Sequence, residues 1–590
     1  MASTVPLHIP RFLSTIGRNR NDGASIKGDS SIVKSPAKRL NRISNSNSRP
    51  HPIPPNRTYV NQNKSITILS KNEDLQGLLS FKNDRVVFNE VNWSTLFNKL
   101  GRFKGRKDEI VGDERFKVLL EELEEIIEED GDSWGIQSVS NIFHSLAVLN
   151  VHSPPILNYV STLTPKIIDE GTPQAISNVA YSYAVLGVED DYYFESINDE
   201  NVIEGILKKG YVQDISNTVW AGSCLGYGME KWVEKIGGGE GGEICDLIVE
   251  GGRAQEIANT FYSVIQLEQN SQNSIAGKKL AEAIENKGAS KLVKFGGGQE
   301  IGNVIWSMAQ GKLECDGLVK GVAEEAERIV GIAKIMEVSN LVYGLADLGY
   351  FEKRIFAAVA GRAEEIARHG SEQHLCNILW AFAIANQVGL HERAVRQLWS
   401  ECLRRDARKF TKVGLNQLNV FRTYARVCEG VELEIEGEGG IGERLEEVLT
   451  IKATKGAQSF EDSVCSELVE LGFDGFEREV SPFVGSEEGG EMLRIDVAWE
   501  KEKVALEVDG PSHFLNLIGK KGTKKGGKKK RMKRDGPTKA KKRLMEKLGW
   551  KVTRFSFVSN MKLKKMTEEE RKLFWAKKMK KVGLVNDDLK

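Results

Sequence analysis

Seven segments of this 590-residue chain align on a single asparagine, and that repeat constrains the fold more than any other feature. They are QSVSNIFHSLAVL at Asn141, QAISNVAYSYAVL at Asn178, QDISNTVWAGSCL at Asn217 and QEIANTFYSVIQL at Asn259. Then come QEIGNVIWSMAQG at Asn303, MEVSNLVYGLADL at Asn340 and QHLCNILWAFAIA at Asn377. A degenerate eighth copy, LNQLNVFRTYARV, aligns on Asn419. Successive asparagines stand 37, 39, 42, 44, 37, 37 and 42 residues apart. A fixed period of this length marks stacked supersecondary units.

The spacing within a copy specifies a helix. Positions −2, +1, +2 and +5 from the asparagine are mostly apolar, as in Ile301, Val304, Ile305 and Met308, the stripe of one helical face. Positions −4, 0, +3 and +4 form a second stripe. It reads Gln (Met336 in the sixth copy), Asn, an aromatic (Tyr181, Trp220, Tyr262, Trp306, Tyr343, Trp380; His144 in the first copy) and a small residue. About twenty residues with enough apolar content for a second helix follow each copy. A two-helix unit that cannot bury its own face must stack on its neighbours, so residues 135–450 read as an α-solenoid of about eight repeats. The second stripe has two readings. Amides and rings can bond and pack between repeats, or they can pair with and stack on the bases of an RNA strand. Base-reading positions should vary between repeats and these do not, so we read the stripe as structural.

The net charge is zero, but it is unevenly spread: residues 1–60 carry about +8, residues 515–590 about +20 and the body between them about −28. A basic block of that kind meets a polyanion or is a solvated charge run. The leader is rich in Ser and Arg, holds only Asp22 and Asp29 as acids, and is broken by prolines such as Pro50, Pro52, Pro54 and Pro55. Lacking an apolar core, it reads as a disordered organelle transit peptide over 1–65 rather than a secretory signal. Residues 66–134 read as a helical or linker region. No apolar run is long enough to span a membrane. The seven cysteines are scattered and never in C-x-x-C, which suits a reducing compartment.

The pattern changes at 457. Residues 460–472 read as an amphipathic helix followed by a polar, Gly-rich loop. RIDVAW (494–499) and KVALEVDG (503–510) read as strands, TKAKKRLMEKLGW (538–550) as a basic helix and KVTRFSF (551–557) as a third strand. This is a small α/β domain over 457–560, with a Lys-rich insert at 519–534 and a basic helix or tail over 561–590.

LRIDVAW, then VALEVDGPSHF, then GPT-x-x-K-x-R-L-x-x-x-LGWKV resembles the RAP domain. The repeats before it resemble the octotricopeptide-like and FAST-kinase-like helical arrays that often precede a RAP domain. The resemblance implies an organelle RNA-binding protein acting in processing, stability or translation of transcripts, or in rRNA maturation. Its RNA contacts are expected from Lys524, Lys525, Lys528, Lys529, Lys530, Arg531, Lys533, Arg534, Lys539, Lys542 and Arg543. RNA is the expected partner, with other RNA-processing proteins beside it. The compartment implied is the mitochondrial matrix, with the chloroplast stroma as alternative.

The RAP module is also similar to restriction-type endonucleases, which use acids at strand ends to hold Mg²⁺. That implies a second function, a metal-dependent endoribonuclease with Asp496, Glu507, Asp509 and His513 as candidate catalytic residues and Glu461 completing the cluster. Residues two apart on a strand face one side, so Glu507 and Asp509 can share a site. The lysine expected two residues after the second acid is instead Asp509. The same residues also read as turn chemistry, Asp509-Gly510-Pro511 with Ser512 and His513. No cofactor is expected without the nuclease function. A third reading, a protein-interaction scaffold, rests on the acidic body.

Overall fold

Each signature segment is a helix: Ile136–Leu149, Pro173–Leu186, Val212–Leu225, Ala254–Glu268, Gly298–Gln310, Ile335–Leu348 and Glu372–Ile384. The eighth copy lies in Lys412–Glu429. The computed structural model describes residues 57–585, except 84–85, 239–241, 270–274, 436–438, 450–458, 484–492 and 517–531. The chain divides into two compact units at Leu280/Ala281. Repeats 1–4 belong to the first unit, repeats 5–8 and the α/β domain to the second.

The apolar stripe drives the stacking. Ile301, Val304, Ile305 and Met308 are fully buried, and a fully buried aliphatic side chain is worth about 1.5–3 kcal/mol. Helix ends follow local chemistry. Thr172, Ser371 and Thr411 cap N-termini through their hydroxyls, while Glu256, Glu300 and Glu337 accept the N–H of Arg253, Gly297 and Lys334. Asn150, Gly187, Gly226, Gly349 and Gly430 end helices in the left-handed conformation.

Two features of the array differ from the sequence reading. The second helix of most repeats is broken in two, as in Pro154–Thr162 with Thr164–Glu170 and Lys353–Ala360 with Ala363–His369. In the first case Pro165, at the start of the second piece, has no N–H to continue the ladder. The eighth copy also registers on Gln417 rather than Asn419. The signature amide sits six residues after the helix N-cap in repeat seven, Ser371 to Asn377, and Thr411 places Gln417 at that position. Gln417 Nε2 donates to Asn377 Oδ1 at 2.9 Å, whereas Asn419 Nδ2 turns to the Leu445 carbonyl at 2.9 Å.

The amide stripe bonds between repeats. Asn377 Nδ2 reaches Ser339 Oγ at 3.3 Å, Gln373 Nε2 reaches Gln417 Oε1 at 3.1 Å, and Asn178 Nδ2 reaches Asn141 Oδ1 at 3.5 Å. The aromatic stripe is a ring ladder. His144 lies 5.4 Å from Tyr181 and Tyr181 5.2 Å from Trp220 in the first unit; Tyr343 lies 4.8 Å from Trp380 in the second. The small residue permits close approach: a Cβ on Gly344 would stand 3.1 Å from the Ile305 carbonyl oxygen of the previous repeat.

Residues 57–65, expected at the end of the leader, are helical within Arg57–Lys71. Buried Asn92 of Glu90–Leu100 fixes that helix, donating to Tyr59 O at 3.0 Å and Asn63 Oδ1 at 2.7 Å. All seven cysteines are free. Among the described residues, no helix is long and apolar enough to cross a membrane.

The α/β domain begins with helix Ser459–Glu470 and holds a four-stranded sheet: β1 (Glu477–Val480), β2 (Ile495–Trp499), β3 (Val504–Asp509) and β4 (Lys551–Ser556), in that spatial order. β1/β2 and β2/β3 are antiparallel; β3/β4 is parallel, joined through the crossover helix Gly536–Lys547. The polar sequence of β1, EREV, had hidden it as loop; it is a mostly exposed edge strand. One face of the sheet packs on Val464, Leu468, Trp575 and Met579. Likeness of this domain to nucleases remains an expectation from sequence.

Candidate nucleic-acid interface and its carboxylate network

Every residue of β3 is buried, because helices or strands cover it on all sides. Its two acids must therefore be neutralised in place. Antiparallel pairing of Val497 with Leu506 brings Asp496 opposite Glu507, and parallel pairing sets Glu507 against Arg554 of β4. The period of two puts Asp509 on the same side as Glu507.

Three cations close on these acids. Lys541 of the crossover helix lies with its Nζ 2.6 Å from Glu507 and 3.8 Å from Asp496. Arg554 stands 3.3 Å from Glu507 and 3.4 Å from Asp509. Arg534 Nε donates to Asp509 at 2.9 Å. The side chains of Glu507 and Asp509 are 3% and 1% exposed, so charge matching is a condition of folding here. Burial pulls the Lys541 ammonium toward neutrality, but Glu507 and Asp496 hold its pKa above the ordinary value. Asp496 accepts the Val508 N–H at 2.6 Å. Its carboxyl is pushed up to about 7, chiefly by burial, with Lys541 opposing.

The candidate catalytic residues thus separate. Asp496, Glu507 and Asp509 come together, but His513 bonds Thr538 Oγ1 at 2.9 Å through Nδ1. Burial lowers its imidazole pKa, with Asp509 opposing. Glu461 reaches Asp496 from helix Ser459–Glu470, joined by Glu479 of β1, with one carboxylate oxygen of each within 4.8 Å of the others. Sequence reading missed Glu479, Lys541 and Arg554 as members of this network. A signal existed for Arg554: a charged residue facing inward on a strand register-paired with Glu507.

Of the basic residues expected to hold RNA, Lys524, Lys525, Lys528, Lys529, Lys530 and Arg531 lie outside the described residues. All five of the others make intramolecular contacts. Lys533 Nζ lies 2.8 Å from Glu314 and 2.5 Å from Asp316. Lys539 Nζ donates to the Gly349 carbonyl at 2.9 Å. Arg543 Nη2 donates to Ala383 O at 2.9 Å and Ile384 O at 3.2 Å, and Arg534 serves Asp509. Lys542 is exposed, 3.3 Å from Glu546 on its own helix. Gly349 and Ala383–Ile384 end repeat helices, where carbonyls lack partners and the dipole favours a cation. The crossover helix is thereby docked across the helix ends of repeats five to seven. Lys312 adds ion pairs to Asp347 at 2.8 Å and to Asp535, the crossover N-cap, at 3.2 Å. Chain segments join there too, as Asn516 N bonds Lys312 O at 2.6 Å and Glu314 N bonds Asn516 O at 3.1 Å.

Comparison with protein families finds that residues 506–578 match the RAP domain. The match runs from Leu506 within β3 through the insert, the crossover helix, β4 and helix Phe557–Leu563 to Lys578 within helix Glu568–Lys580, and so includes all three cations of the network. No family match names the helical repeats, and no curated protein matches the chain. The RAP domain is generally an RNA-binding domain, which supports a nucleic-acid-binding role for this chain.

Proposed function

We propose that this protein is an organelle RNA-binding factor acting in the processing, stability or translation of organelle transcripts or in rRNA maturation. The RAP match over 506–578 carries the reading. The charge distribution supports it: the most basic part of the chain, about +20 over 515–590, coincides with that domain. The acid-poor, Arg-bearing leader directs the chain to the mitochondrial matrix, or to the plastid stroma as alternative. In this reading the repeats form a scaffold held together by their own amide and ring ladders. Crosslinking the protein to RNA in purified organelles, followed by sequencing of the bound RNA, tests it. Recovery of no RNA above background refutes it.

A metal-dependent endoribonuclease is the second reading, favoured by the approach of Glu461 and Glu479 to Asp496. Three carboxylate oxygens suit Mg²⁺, which prefers oxygen donors in a tight octahedron. Glu507 and Asp509 fit that role poorly, since each is already held by two cations. A Mg²⁺-dependent cleavage assay with the parent and Asp496→Ala separates the readings. Cleavage by the parent that Asp496→Ala abolishes supports the nuclease.

A further inference from the structure

Helix Asp316–Glu324 of repeat five and residues 350–354 of repeat six, which lead into helix Lys353–Ala360, line one open cleft of about 590 Å³. That volume falls in the range of small-ligand sites. Val319 and Ala323 supply buried apolar lining, and Tyr350 and Phe351 supply two half-buried rings. Tyr350 is held in place, since its hydroxyl donates to Asp316 at 2.7 Å and accepts the Cys315 N–H at 3.0 Å. Two lysines of the RAP domain approach these rings. Lys533 Nζ stands 5.7 Å from the centre of Tyr350, and Lys539 Nζ 5.6 Å from the centre of Phe351. The charged lining consists of three acids, Asp316, Glu324 and Glu352, and three cations, Lys320, Lys353 and Arg354. Asp316 already serves Lys533 and Tyr350. The side chains of the three cations are exposed and have neither ion pair nor hydrogen bond among the described residues.

A ring beside unpaired cations matches the two halves of an unstacked nucleotide: the base stacks on the ring and the phosphate meets the cations. Glu324 and Glu352 can accept from the exocyclic amines of a base edge. The same acids oppose an acidic peptide, the other ligand that such cations would attract. Position agrees with this choice. Both flanks of the Lys-rich insert are held on residues 311–316, which lead into the cleft: Asn516 N donates to Lys312 O at 2.6 Å, and Lys533 reaches Asp316 at 2.5 Å. The stretch between those flanks, 517–531, carries eight Lys/Arg. We infer that the cleft takes one nucleotide of a single RNA strand, with its base against Phe351 and a flanking phosphate on Lys353 and Arg354. This rests on the RNA-binding reading and adds to it a contact made by the repeats themselves, beside the RAP domain.

The full-length protein is titrated with a labelled single-stranded oligoribonucleotide at several salt concentrations. It is compared with F351L, F351Y, K353Q/R354Q and a control, K208Q/K209Q, which makes the same charge change at exposed positions of another repeat. F351L keeps apolar bulk and removes the ring face. It is expected to lower affinity about tenfold, within the worth of one stacked base, and to leave the salt slope as it is. F351Y, which keeps the ring, should bind as the parent does. K353Q/R354Q is expected to flatten the log–log salt slope by about 0.7, one phosphate on a single strand, and the control to leave it unchanged. While the parent binds RNA, equal effects of the two double variants, or full affinity in F351L, overturn the assignment. Failure of the parent itself to bind RNA overturns the RNA-binding reading, and the cleft's role with it. Free AMP is titrated beside the oligonucleotide. AMP binding that F351L abolishes, with the oligonucleotide bound equally by parent and F351L, makes the cleft a free-nucleotide site and overturns the strand assignment. Should F351L melt at a lower temperature than the parent, K353Q/R354Q, at exposed positions, decides by its comparison with K208Q/K209Q.

Discussion

Arg543 of the crossover helix donates to the carbonyl oxygen of Ala383, 2.9 Å away and 160 residues earlier in the chain. Its guanidinium also lies 5.8 Å from the ring centre of Tyr424 in the next repeat helix. One side chain therefore ties the RAP domain to two repeats. Together with Lys533 and Lys539, it satisfies the carbonyl ends and acids of the array with cations that sequence alone had assigned to RNA.

Gly536 permits this docking. A Cβ there would stand 1.6 Å from the carbonyl oxygen of Ala346, and no rotamer relieves a clash with backbone. Gly536→Ala should destabilise the protein by at least about 1–3 kcal/mol, the usual cost of overpacking, and lower its melting temperature. Unchanged thermal unfolding of Gly536→Ala would show that the helix does not dock this closely.

Trp380 tests the ring ladder. It is 9% exposed and lies 4.8 Å from Tyr343. Trp380→Ala should cost about 3–5 kcal/mol of stability, as large-to-small core changes do, with RNA affinity of the remaining folded protein unchanged. An unshifted melting curve with sharply weaker RNA binding would instead make the stripe a base-stacking surface.

The period of the repeat was legible because one apolar face recurs at helical spacing in seven copies. What escaped were interactions with no local periodicity. Arg362 donates to the Ala333 carbonyl at 2.6 Å, and Arg405 to those of Gly370 and Ala367 at 2.6 and 2.8 Å. Each closes the helix end of the preceding repeat, yet stands at no fixed distance from the signature asparagine. Gln417 was missed because a nearby Asn419 satisfied the pattern while the N-cap Thr411 set the true register. In the α/β domain, the acids were found from strand alternation. Their neutralisation was not, because Lys541 and Arg554 come from elements 34 and 47 residues beyond Glu507 and only the fold brings them back.

Asp496 gives the domain a pH signature. Its folded carboxyl titrates near 7 because burial disfavours the charge, whereas an unfolded Asp titrates at about 3.9. Between those values the folded state holds a proton that the unfolded chain has lost, so stability falls as pH rises from about 4 to about 7. Glu461, raised by burial and by Glu479, acts in the same direction. Lys541 opposes both. Asp496→Asn keeps an acceptor for the Val508 N–H and removes this titration. Denaturant unfolding from pH 4 to 8 should show a shallower fall for the variant; parallel curves would mean that Asp496 is charged throughout.

The leader can be cut at a defined place. A chain beginning at Arg57 keeps Tyr59 and Asn63, the partners of Asn92. It should fold with the parent's melting temperature but stay in the cytosol. A chain beginning at residue 66 loses both contacts and should melt lower. Normal organelle import of the chain from Arg57 would show that residues 1–56 are not the targeting signal.

The Lys-rich insert is best tested in the full chain, because the crossover helix that follows it is docked on the repeats through Lys539 and Arg543. Changing Lys528, Lys529, Lys530 and Arg531 to Gln removes four positive charges from a stretch with interleaved glycines and no aromatic residue. Each phosphate neutralised on a single strand contributes about −0.7 to the log–log salt slope, so four contacts would flatten it by up to about 2.8. Affinity should fall about equally for unrelated RNA sequences, since phosphates carry no base identity. The melting temperature should match the parent's. If slope and affinity both stay as in the parent, the insert does not touch phosphate. The salt-dependent attraction then lies with other basic residues of the domain.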